Sequence, residues 1–281
     1  MSEYQYYEFL AVDRPLTAAE QAEVRQLSSR ARITATSFVS EYQWGDFKGN
    51  PDEMMQRYYD AHLYLANWGT HRVMLRLPRT LLSPKVAGPY CVDGGVSMSA
   101  TREHVILDLT SEDETGDGEE AQDSLPAIVG VRSELAAGDL RPLYLAWLSA
   151  YGAWERDEDA FEYEDEDDLE PLVPAGLGSL TAPQRALADF LRLDRDLLGV
   201  AATASPALPE ENDDGGALAT HIANLPASDK ERLLLLVAGD QAATARMELL
   251  RGSRADPNDH GDSRPRRTVA EILDAAAARR L

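Results

Sequence analysis

The chain has 281 residues, 44% apolar and 27% charged, and its 49 acids against 27 bases leave a formal net charge of −22. This length suits two compact units, and 19 Gly with 15 Pro exclude a collagen-like or wholly disordered chain. No apolar run approaches the roughly 18 residues of a membrane-spanning helix.

Tyr4 to Val12 is rich in aromatic and aliphatic residues at successive positions, the pattern of a strand buried on both faces. Asp13-Arg14-Pro15 breaks it. Thr17-Ala18-Ala19-Glu20 is then a capping box, which predicts a helix running to about Arg30. Ile33 to Tyr42 is β-branched and aromatic, a second strand, and a right-handed crossover would set it parallel to the first. Asn50-Pro51-Asp52-Glu53 opens a second helix, with Asn50 as cap and Pro51 at the first helical position. Met54, Met55, Tyr58, Tyr59, His62, Leu63 and Ala66 form one apolar stripe at helical spacing, and Asn67-Trp68-Gly69 stops it. Alternation predicts strands from Arg72 to Leu77, Val96 to Ala100 and His104 to Leu109, the last two as a hairpin. The order β-α-β-α-β-β-β makes residues 1–112 a sheet domain with packed helices, and the fold class α+β.

Beyond residue 124 no strand is expected. Leu125 to Ala136 and Leu140 to Tyr151 read as a helical hairpin within 125–154, turned at Gly138-Asp139 and packed on the sheet domain. Helices follow over 175–202, opened by the capping box Thr181-Ala182-Pro183-Gln184. Residues 203–216 lack periodicity and read as a linker. The C-terminal region, 217–281, is helical, with boxes at Ser228-Asp229-Lys230-Glu231 and Thr268-Val269-Ala270-Glu271, a helix between them stopped by Gly252, and a loose spacer over 253–267.

Two segments concentrate the acidity. Residues 111–123 carry seven acids and no base, and 155–170 carry eleven acids with one base, Arg156. The expected result is a solvated acidic loop at 113–124 and an acidic linker at 155–174. Nucleic acid would be repelled, since binding it requires Lys and Arg to displace counterions. The expected partner is another protein with a basic surface, met at a rate that falls with added salt. The first residues show no signal-peptide pattern, and the lone cysteine, Cys91, suits a reducing compartment. A cytoplasmic location is expected.

One Cys and five His, widely spaced, contain no zinc-site pattern. Asp113, Thr115, Asp117 and Gly118 match the start of a calcium loop, but Ser124 stands where the bidentate Glu belongs. The chain has no phosphate-binding P-loop, no dinucleotide fingerprint and no nucleophile elbow. No cofactor is expected. Gly45 to Gly49, with Lys48, is at most a weak anion cradle ahead of a helix.

The one cluster with chemical promise lies between Trp44 and His71. His62 is a candidate general base, with Asp46 or Asp60 to orient it, and His71 is a second candidate. Trp44, Lys48 and Trp68 are candidate ligand-binding residues. Against this stands a plain packing role, with a buried imidazole among tyrosines and methionines. Thr36-Ser37-Phe38-Val39, Trp44-Gly45-Asp46-Phe47-Lys48-Gly49 and Asp60-Ala61-His62-Leu63-Tyr64-Leu65-Ala66-Asn67-Trp68-Gly69 resemble a group of uncharacterised bacterial proteins. The likeness spans most of residues 1–200 and implies no activity, cofactor or partner.

The residues favour a non-catalytic cytoplasmic interaction or adaptor protein using acidic loops and a helical appendage. The alternative is a small-molecule enzyme or ligand sensor with a pocket around Trp44, Asp46, His62 and Trp68. A third reading, an acidic mimic of nucleic acid, requires carboxylates at duplex-like spacing on a rigid surface.

Overall fold

A computed structural model of the chain describes residues 3–45, 47–113, 121–152, 168–208, 214–239, 241–253 and 266–280. Its centre is a seven-stranded sheet in the order β2-β3-β1-β4-β5-β7-β6. The strands are β1 Gln5–Leu10, β2 Arg32–Ile33, β3 Ser37–Tyr42, β4 Ala61–Ala66, β5 Thr70–Pro78, β6 Val96–Ala100 and β7 His104–Glu112. Every pairing is antiparallel.

This corrects the expectation that the first two long strands run parallel. The helix between them, α1 (Ala18–Arg25), spans about 12 Å at 1.5 Å per residue, while β1 is about 20 Å long. The chain therefore does not return to the start of β1. After α1 it enters the two-residue strand β2, which runs in the sense of β1, and a tight turn then leads into β3 in the opposite direction.

The second correction concerns Tyr58 to Ala66. The helix that Asn50 caps, α2 (Pro51–Arg57), stops at Tyr58, and the expected remainder of its stripe is the strand β4. Five of its six residues are buried, because both faces of the sheet are covered. A strand buried on both sides is apolar at nearly every position, and periodicity alone does not separate it from a helix.

Side chains alternate between two cores. Tyr6, Leu63, Leu65, Val73, Leu75, Leu107 and Leu109 face one side. There they meet α4 (Leu125–Ile128), α5 (Val131–Ala136), α6 (Arg141–Gly152), α7 (Ala182–Phe190) and α8 (Arg195–Ala204), with a short helix α3 (Pro84–Ala87) beneath β6. Phe9, Phe38, Met74 and Ile106 face the other side, against Val24 of α1 and Met54, Met55 and Tyr59 at α2. The expected helix from Leu125 to Ala136 is broken at Val129-Gly130 into α4 and α5. The turn at Gly138 forms as expected, with φ of +88°.

The remaining helices are α9 (Asp214–Asn224), α10 (Ala227–Ala238), α11 (Ala242–Ser253) and α12 (Val269–Arg279). Val269, Ile272 and Ala276 carry α12 into the first core. Three of the four capping boxes are formed, at Thr17, Thr181 and Thr268. At the fourth, α10 begins one residue before Ser228, and Pro226 stands at the cap without a side-chain bond. Within the segment read as an acidic linker, Glu170 is buried and clipped to the C-terminal region. Its amide donates to the Arg267 carbonyl (2.9 Å), its carboxylate takes two bonds from the Arg267 guanidinium, and Tyr144 Oη donates to it as well. Residues 205–208 are likewise tied down, through Ser205 Oγ to Pro174 O (2.7 Å) and Gly176 N to Pro206 O (2.8 Å). Among the described residues no helix is long and apolar enough to cross a membrane.

Candidate functional site: the tryptophan end of the sheet

The register of β1 brings two distant loops together. Gln5 pairs with Tyr42 of β3 on one side and with Ala66 of β4 on the other. Those two residues are thus two strand spacings apart, about 10 Å. Trp44 and Trp68 each lie two residues beyond, so both leave the sheet at the same end. Trp44 is 70% exposed and Trp68 45%, unusual values for the largest apolar side chain.

The turn that carries Trp68 is held from three directions. Tyr4 and Asn67 exchange bonds, Tyr4 N to Asn67 Oδ1 and Asn67 N to Tyr4 O, both 3.0 Å. Gly69 has φ of +101°, a conformation that costs a residue with a Cβ, and its carbonyl accepts from Arg192 Nη1 (2.8 Å) and Asp113 N (3.1 Å). Two residues on, His71 Nδ1 donates to Phe190 O (2.8 Å), and its ring stacks on Phe190 at 5.0 Å. On the other loop, Gly45 turns with φ of +82°, and Phe47 plugs the second core between Tyr7, Phe38 and Tyr42. Exposed Trp44 thus sits on a loop anchored by a buried phenylalanine.

The first acidic segment begins and ends here. Glu112 pairs with Thr70 at the start of β5. On its return, Gln122 Nε2 donates to Tyr4 Oη (2.9 Å), and Tyr6 Oη donates to Asp123 (3.4 Å) and to Glu8 (3.2 Å). Burial pushes the Glu8 carboxyl up, against the lowering effect of the Tyr6 bond. The calcium-like pattern over 113–124 falls mainly on residues outside those described.

Of the candidate catalytic residues, the two histidines do not join this surface. His62 lies on β4, not on a helix, paired with Phe9 and Met74. It is 0% exposed, stacked on the Phe9 ring at 3.9 Å, with Nδ1 2.9 Å from the Glu8 carbonyl. A carbonyl only accepts, so Nδ1 carries the proton, and Nε2 has no partner among the described residues. Burial lowers its pKa to about 3, far from the neutral range a general base needs. His71 is also buried, and burial lowers its pKa. Asp46 lies outside the described residues. Lys48 is exposed.

Asp60 has a different role from the orienting carboxylate considered from sequence. Its carboxylate accepts from Val12 N (2.7 Å), Asp13 N (2.8 Å) and Arg76 Nη2 (2.6 Å), and Arg132 Nη2 lies 3.8 Å away. Burial alone would raise its pKa, but the charges of Arg132 and Arg76 outweigh this and hold it low. Asp13 shares Arg132 yet is pushed up, because there burial dominates. Arg132 also donates to Arg76 O (2.8 Å), so the cluster ties α5 to the far end of the sheet. No local signal marks these four residues as partners.

Among the described residues no group of three or more His, Cys, Asp or Glu is placed to hold a metal ion. No protein-family model matches the chain, and neither a curated protein nor a solved structure matches it.

Proposed function

We propose that the protein is a non-catalytic interaction protein of the cytoplasm that receives a basic segment of another protein at the Trp44–Trp68 end of its sheet. The observation that carries this reading is the pairing of two exposed indoles with the two ends of an acidic segment at one end of the sheet. Indole faces attract guanidinium and ammonium groups, by about 0.5–1 kcal/mol each at exposed positions. Carboxylates beside them add long-range attraction and lower the rate of wrong encounters.

An arginine-rich peptide titrated into the full chain tests this. Replacing Trp44 and Trp68 together by Ala should weaken the complex about tenfold or more, and raising salt from 50 to 300 mM should weaken it further. Thermal stability should stay near that of the parent, since both side chains are exposed. Affinity unchanged in the double variant would refute the assignment.

A further inference from the structure

In the helical appendage, α10 (Ala227–Ala238) presents an apolar surface that nothing covers among the described residues. Leu233, Leu234, Leu235 and Leu236 are consecutive, and each helical residue is turned by about 100° from the last, so leucine points to every side of this helix. A helix that is apolar all round is a buried helix. Here only Leu233 is buried and Leu236 is partly buried, whereas Leu234 is 69% exposed, Leu235 67% and Val237 51%. Ala227, Glu231 and Ala238 are exposed as well. With Leu234 they fall at i, i+4, i+7 and i+11, the spacing of a seam between two helices.

The orientation of α10 is fixed. Its inner side packs on α11, which packs on α5. Arg232 Nη2 donates to Glu248 Oε2 on α11 (2.6 Å), and Lys230 Nζ donates to Ala223 O of α9 (2.8 Å). Leu234, Leu235 and Val237 therefore stay turned to solvent, with roughly 350 Å² of apolar surface between them, an extent that marks interaction sites on monomers. One side of a standard interface buries about 800 Å², of which about 450–500 Å² is apolar, and these three side chains with Ala227 and Ala238 approach that share. Charge favours a second copy as the occupant. Residues 214–253 carry five acids and four bases, a net −1 in a chain of −22, so two copies meet here with little local repulsion.

We propose that the protein forms a homodimer through α10, the two copies of the helix crossing antiparallel about a two-fold axis beside Leu234 and Leu235. An axis there sets leucine against leucine, a self-complementary contact, and opposes the two helix dipoles. The leucines gain by leaving water. A helix of 12 residues, marginal in water by itself, is thereby covered on both sides. The proposal is independent of what binds at the tryptophan end.

Sedimentation equilibrium of the full chain, from about 1 to 300 μM, tests it. The mass should rise from that of one chain to that of two, with a midpoint in the roughly micromolar range of a modest apolar interface. Salt raised from 50 to 300 mM should leave the dimer as strong or stronger, since apolar contact carries it and screening relieves the repulsion between acidic chains. Leu234→Glu and Leu234→Arg should each weaken it at least a hundredfold. The two variants mixed should associate at least tenfold more tightly than either alone, because the two Leu234 positions lie close across the axis. Leu234 is exposed in the single chain, so both variants keep the fold, which circular dichroism at 1 μM checks. A single-chain mass at every concentration overturns the proposal, as does a dimer of full strength in Leu234→Glu. Variants that dissociate and stay apart on mixing overturn the crossing at Leu234.

Discussion

The imidazole of His62 should make the protein acid-labile at a pH where most carboxylates are still ionised. In the folded state its pKa is about 3, against an ordinary 6.5, because burial excludes the charged form. The unfolded chain takes up a proton below pH 6.5 and the folded chain does not. Stability from this group is therefore complete only well above pH 6.5 and falls as pH falls through 6.5 towards 3. Each pH unit in that window costs about 1.4 kcal/mol, so about 2.7 kcal/mol is lost by pH 4.5. Glu8 works in the opposite direction, since a raised carboxyl pKa favours the folded state as acid is added. The falling net negative charge also relieves self-repulsion. A difference measurement isolates His62.

His62→Phe keeps a ring on the Phe9 face and removes the titration. At pH 8 this variant should be less stable by about 1–3 kcal/mol, through the lost bond to Glu8 O and imperfect packing. Urea unfolding of both proteins, by circular dichroism and by tryptophan fluorescence, should show the gap narrowing by about 2.7 kcal/mol between pH 8 and 4.5. A gap that stays constant over that range refutes a neutral, sealed imidazole.

Two further perturbations probe the framework. Asp60→Asn keeps the shape but leaves Arg132 and Arg76 facing a neutral amide in a buried site, and breaking such a cluster from one side costs about 3–5 kcal/mol. A loss below about 1 kcal/mol in urea unfolding at pH 7 would mean that the cluster is not sealed. At Gly95, an added Cβ would lie 2.4 Å from Ala150 Cβ and 3.2 Å from its Cα, so Gly95→Ala must displace either the β6 entry or α6. The expected cost is about 1–3 kcal/mol, read as a lowered melting temperature, and an unchanged melting temperature refutes that close approach.

The corrections follow one rule. Most features decided within one turn or one strand agree with the structure, and features decided by what covers a segment do not. Thr17 and Thr181 mark their helices because a cap needs only its own N3 residue. The β6–β7 hairpin forms where alternation placed it. Ser228 is displaced as a cap by Pro226, a competition between two local signals. Periodicity alone puts His62 on a helix because the stripe from Met54 to Ala66 fits a helical period, while burial from both sides makes its second half a strand.

Read alone, the amino-acid order determined the α+β class, the helical second half, the capped helix starts and the two concentrations of acid, all of them products of neighbouring residues. Tertiary structure alone decided that Trp44 and Trp68 share one end of a sheet, because β1 pairs on both sides at Gln5. It also decided that His62 is enclosed and that Asp60 meets Arg132. Strand register and the packing of helices on both faces set those distances, and neither is encoded in any short stretch of chain.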